Sequence, residues 1–89
     1  MKPSQKEIYD CAVKRGKITK HTTRKQFLDA IASELLELAD YTPQLQQSEL
    51  ADIVLVCYSM AEHYGFKLDQ AIENKHEFNL TRKGNVLHN

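Results

Sequence analysis

The chain has 89 residues, with twelve lysines and arginines balanced by twelve aspartates and glutamates, two cysteines and no tryptophan. That length allows one domain with a small core, and the even charge lacks the basic excess on which nucleic-acid affinity depends. Cys11 and Cys57 form no Cys-x-x-Cys pair, which argues against zinc ribbons, thioredoxin-like redox motifs and disulfide frameworks.

The opening MKPSQKEIYD has no hydrophobic region of the kind a secretory signal needs. The first helix is predicted over Ser4–Lys14, where Ile8, Cys11 and Ala12 recur at helical spacing and Gly16 stops the helix. KITKHTT is a connector, with Thr22 or Thr23 as N-cap of the next helix. That second helix, Arg24–Asp40, carries Leu28, Ile31, Leu35 and Leu38 three and four residues apart, an apolar stripe. Pro43 ends it, because a residue preceding proline is pushed out of the helical region. A third helix, Leu45–Tyr64, stops at Gly65. Leu50, Ile53, Val54, Cys57, Met60 and Ala61 form its stripe, and Leu55 and Val56 carry the apolar surface around much of its circumference. In so short a chain, burial on that many sides calls for a second subunit. The longest apolar run, IVLVC, is far too short to span a bilayer. A soluble protein in a reducing, cytoplasmic setting is therefore expected, with Cys57 as a small core residue. The fourth helix starts at Asp69 or the residue before it and carries Leu68, Ala71, Ile72 and Phe78. It fades near Lys83–Gly84 and leaves GNVLHN as a mobile tail. The expected architecture is all-α: one domain with its helical core over about residues 4–83, forming a four-helix bundle completed by oligomerisation.

The acids are grouped by helix. Glu34 and Glu37 stand three apart on the second helix, and Glu49 and Asp52 stand three apart on the third. Residues at that spacing share one side of a helix. On a wheel of about 100° per residue both pairs sit at the edge of their apolar stripe, and neither has a lysine or arginine three or four residues away. A turn at Tyr41–Pro43 makes the two helices antiparallel neighbours whose acidic edges can face each other. Four carboxylates in one groove raise each other's pKa unless a cation joins them. Hard oxygen ligands at that density suit Mg²⁺ or Mn²⁺ better than zinc or copper. The competing reading is a solvated acidic face, since glutamate is a good helix former. On the fourth helix Ile72, Lys75, Asn79 and Arg82 follow at spacings of three, four and three. The line that begins with Leu68 thus turns into ammonium, amide and guanidinium groups suited to phosphate oxygens. For Lys83, complementing the helix dipole is the simpler role.

Glu-x-x-Glu, a turn, Glu-x-x-Asp and then ELADIVLVCYSMAEHYGFKLDQAIENKHEFN, with its glycine turn and Lys-x-x-x-Asn helix, resemble the MazG-like all-α nucleoside triphosphate pyrophosphohydrolases over about Arg24–Arg82. The resemblance implies hydrolysis of a nucleoside triphosphate, a dNTP above all, to the monophosphate and pyrophosphate, using Mg²⁺ or in its place Mn²⁺, as nucleotide-pool house-cleaning. Carried over residue by residue, Glu34, Glu37, Glu49 and Asp52 match the metal-binding carboxylates, and Glu34 or Glu37 would also hold or deprotonate the attacking water. Lys75 and Asn79 match phosphate-contacting positions, with Arg82 beside them. His21 and Phe27 fall in the segment that forms part of the nucleobase pocket. Ser33 stands where relatives often carry a further acid. The family assembles as homodimers or homotetramers with sites at a subunit interface. Two rival readings of the residues remain. One is a non-catalytic helical protein-interaction module. The other is a di-iron carboxylate bundle, of whose Glu-x-x-His helices the chain has one, Glu73-x-x-His76.

Overall fold

Side chains and glycines at the helix ends supply what the helix backbones lack. The computed structural model describes residues 1–40 and 42–82, apart from the side chain of Leu45. These residues form four α-helices, α1 (Gln5–Lys14), α2 (Arg24–Asp40), α3 (Pro43–Tyr64) and α4 (Leu68–Thr81), with no strand among them. Ser4 and Glu7 cap α1 reciprocally. Ser4 Oγ accepts from the Glu7 amide at 3.1 Å, and Glu7 Oε1 accepts from the Ser4 amide at 2.9 Å. These bonds hold the Glu7 carboxyl below its usual range. At its other end α1 closes with Gly16 at φ 77°, the Gly16 amide bonding Val13 O and the Lys17 amide bonding Ala12 O. This is a Schellman turn, which glycine adopts without the steric cost of a Cβ.

Thr23 caps α2, in place of its neighbour Thr22: the Gln26 amide donates to Thr23 Oγ1 at 3.2 Å and Gln26 Oε1 accepts from the Thr23 amide at 2.8 Å. α3 begins two residues earlier than predicted, because Pro43 occupies its first turn, where a missing N–H is not needed. Gly65, at φ 79°, ends it. α4 stops at Thr81, and both Lys83 and the expected mobile tail lie outside the described residues.

α1 and α2 both pack on α3. Where the three meet, Phe27 is 2% exposed and lies 5.0 Å from the His63 ring and 6.0 Å from Tyr64, while the Tyr9 hydroxyl and His63 Nδ1 share a hydrogen bond of 2.8 Å. Gln5 ties α1 to the corner between α3 and α4. Its Nε2 donates to Glu62 Oε1 at 3.1 Å and to Phe66 O at 2.7 Å, and its Oε1 accepts from the Leu68 amide at 3.0 Å. The Tyr58 hydroxyl donates to the Asp69 carboxylate at the same corner.

Beyond this corner α4 stands clear of the bundle, with every residue from Asp69 to Arg82 exposed. Among the described residues the buried apolar set is Ile8, Ile18, Phe27, Tyr58 and Ala61. α3 is not buried all round within one chain, for Leu50, Val54 and Leu55 keep between 40% and 49% exposure. Cys57 is half-buried, which pushes its thiol up. Among the described residues no helix is long and apolar enough to cross a membrane.

Candidate metal centre

Glu34 on α2 meets Glu49 and Asp52 on α3, and one carboxylate oxygen from each lies within 4.8 Å of the others. The meeting follows from helix geometry. Glu49 stands four and seven residues before Ile53 and Val56, on the line of α3 that is at least half-buried. It therefore occupies a position that would ordinarily take an aliphatic side chain, and it is 2% exposed. Asp52, one turn on, remains exposed, and Glu34 is half-buried.

One oxygen of each of the two less exposed acids, Glu34 Oε2 and Glu49 Oε1, is buried without a hydrogen-bond partner. Leaving such a group unsatisfied costs about 1–3 kcal/mol or more when it is charged. The hydrogen bond to Glu49, burial, and the negative charges of Glu49 and Asp52 together push the Glu34 carboxyl above its usual range, opposed by contact with Glu37. Carboxylates in this arrangement share a proton or a cation. Three carboxylates gathered this closely offer hard oxygen donors that fit a small divalent ion such as Mg²⁺ or Mn²⁺.

The expected cage of four carboxylates is thus a cluster of three with a neighbour. Glu37 is exposed and touches Glu34 from outside the cluster. Residues three apart differ by about 60° around the axis, enough to turn Glu34 into the interface and Glu37 out of it.

Within one chain the basic face of α4 is exposed. The spacing of Lys75, Asn79 and Arg82 predicts that they continue an inward line, yet all three are exposed and Ile72 on that line is 51% exposed. Arg82 Nε donates to Asn79 Oδ1 at 2.8 Å, and the Lys75 ammonium and Arg82 guanidinium lie 5.2 Å and 5.0 Å from the Phe78 ring centre. The physical reason is that α4 is fastened only near its start, so a helical line set by Leu68 does not stay against α3. Glu73 and His76 are exposed on the same helix and belong to no cluster of three ligands among the described residues.

A groove of about 750 Å³ lies between α1 and the α2–α3 pair. Glu34, Asp52, Ser33 and Ser59 line its α2–α3 side, Ile8, Ile18 and Phe27 give it apolar surface, and Cys11, Arg15 and Lys17 line its α1 side. Its size is within the range that holds a nucleotide-sized ligand. Of the two residues expected at a base pocket, Phe27 lines this groove, whereas His21 is exposed in the connector and does not.

Sequence reasoning missed the α1 side altogether. The available signal was Lys14-Arg15-Gly16-Lys17, three cations around a helix-ending glycine. Comparison with protein-family models, curated proteins and solved structures gives no significant match, so the site rests on its own geometry.

Proposed function

We propose that the chain is a Mg²⁺-dependent nucleoside triphosphate pyrophosphohydrolase, acting on a dNTP above all, in a cytoplasmic nucleotide-pool role like that of the MazG-like enzymes it resembles. The observation that carries this reading is Glu49. Its carboxylate is 2% exposed, one of its oxygens has no partner, and it lies within 4.8 Å of oxygens from Glu34 and Asp52. A solvated acidic face gives no reason to bury a charge, and a buried carboxylate without a cation is costly. The adjoining groove, with cations and apolar surface facing the acids, supports a ligand that is part phosphate and part base.

Glu34, Glu49 and Asp52 would hold Mg²⁺, with Mn²⁺ as a substitute. Bound there, the ion supplies charge neutralisation and Lewis-acid polarisation at the phosphate oxygens. Glu37, outside the cluster but touching Glu34, is placed to orient a water and accept its proton. Glu34 is the other candidate for that role. The water attacks the α-phosphorus, the α–β anhydride bond breaks, and pyrophosphate leaves with that electron pair. The chain acts as a homodimer or homotetramer, in which Lys75 and Asn79 of the exposed α4, with Arg82, reach phosphates across the subunit interface.

The test is a panel of deoxy- and ribonucleoside triphosphates assayed for pyrophosphate release with and without Mg²⁺. Release is expected only with the ion, and Asp52→Asn is expected to lower it by about a hundredfold or more with the helices intact by circular dichroism. Release from no triphosphate, or an Asp52→Asn protein as active as wild type, would leave the helical interaction module as the better reading.

A further inference from the structure

We propose that Arg15 and Lys17, on the turn that ends α1, bind the β- and γ-phosphates of the nucleotide in the groove whose α2–α3 side carries Glu34 and Asp52. This deepens the pyrophosphohydrolase reading and rests on it. Five charged side chains line the groove: Glu7, Arg15, Lys17, Glu34 and Asp52. Glu7 is committed to the Ser4 amide, and Glu34 and Asp52 belong to the carboxylate cluster. Among the described residues, neither Arg15 nor Lys17 has a carboxylate within 4.0 Å.

Their backbone is held at three points. The Gly16 and Lys17 amides close the Schellman turn on Val13 O and Ala12 O, and Ile18, 8% exposed, anchors the chain directly after it. Cations on a fixed turn lose less freedom on binding than cations on a mobile loop. Their chemistry is complementary as well. A guanidinium can pair with two phosphate oxygens at once, and an ammonium acts as a point charge. A Mg²⁺-bound triphosphate keeps net negative charge at its β–γ end, which the acidic cluster repels and this pair attracts. Among the described residues no other cation lines the groove, and Lys75 and Arg82 of α4 lie over Phe78 on an exposed helix.

The experiment is calorimetric titration of the full chain with an α,β-methylene deoxynucleoside triphosphate and with the corresponding monophosphate, both with Mg²⁺. Arg15→Ala/Lys17→Ala is compared with Lys14→Ala/Lys20→Ala, which removes the same charge from outside the groove. Arg15→Gln/Lys17→Gln keeps the aliphatic stems in case the alanine pair impairs folding. The groove variants are expected to weaken triphosphate binding by roughly tenfold or more, with a flatter salt dependence and unchanged monophosphate binding. The control pair should stay within about twofold of wild type. Equal weakening in both pairs, or no weakening in the groove variants while Mg²⁺-dependent pyrophosphate release persists, overturns this assignment and leaves the enzyme reading standing. A wild-type chain that neither binds nor hydrolyses any triphosphate overturns both.

Discussion

At Glu49 the stripe of α3 calls for an aliphatic side chain and receives a carboxylate instead, one turn before Ile53. Replacing it with glutamine turns an acid–acid contact with Glu34 into an amide donor facing an acceptor. Without divalent ions, Glu49→Gln is expected to gain about 1 kcal/mol, equivalent to roughly 4–8 °C in melting temperature for a domain of this size. It should also lose any Mg²⁺-dependent rise in melting temperature. A Mg²⁺ shift equal to that of wild type would place the ion elsewhere.

Glu34 gives a pH signature. Its folded-state pKa lies above the ordinary 4.5, so the folded chain holds a proton that the unfolded chain releases. The stability due to this group is fully present below that value and is lost as pH rises through the raised pKa. In chelator, the melting temperature of wild type relative to Glu34→Gln should therefore fall as pH rises above 4.5, and Mg²⁺ should restore it most at the upper end. Parallel curves for the two proteins across this range would contradict the acid–acid contact.

Among the elements, α4 differs most from its expected place, and Gln5 explains what holds it. One side chain on α1 bonds Glu62, the Phe66 carbonyl and the Leu68 amide, so it fixes the entry into α4 more than the helix's own packing does. Gln5→Ala is expected to cost about 1–2 kcal/mol in local stability. Amides in the first turn of α4 should then exchange roughly tenfold faster, while those around Ser59 and Ala61 keep their protection. Helix limits were largely legible from the sequence because their causes are local, as at Ser4 and Gly16. Pro43 is the exception: its effect on the preceding residue points to the end of α2, whereas the structure also places it in the first turn of α3.

For the whole molecule, the apolar surface left bare decides the expectation. Leu36, Leu80, Phe78 and Ile72 are 73%, 71%, 53% and 51% exposed, and among the described residues no large side chain falls below 2% exposure. The radius of gyration is 14.8 Å, against roughly 12 Å for a compact chain of this length. Both observations support the proposed homo-oligomer. Sedimentation should show a dimer or tetramer, and Leu36→Lys should shift it toward monomer with reduced pyrophosphate release. A monomeric wild-type chain with full activity would remove the interface from the mechanism.

The sequence by itself determined the all-α class, the helices with most of their stops, and the acids from which a cation site could be built. Each of these follows from interactions within a few residues: caps, periodicity, and glycine or proline conformations. Only the tertiary structure decided that Glu34, Glu49 and Asp52 converge while Glu37 stays outside, that α4 leaves α3 after its first turn, and that the end of α1 brings Arg15 and Lys17 to the groove. Those outcomes depend on rotations of about 60° and on contacts between distant segments, which a local period does not encode.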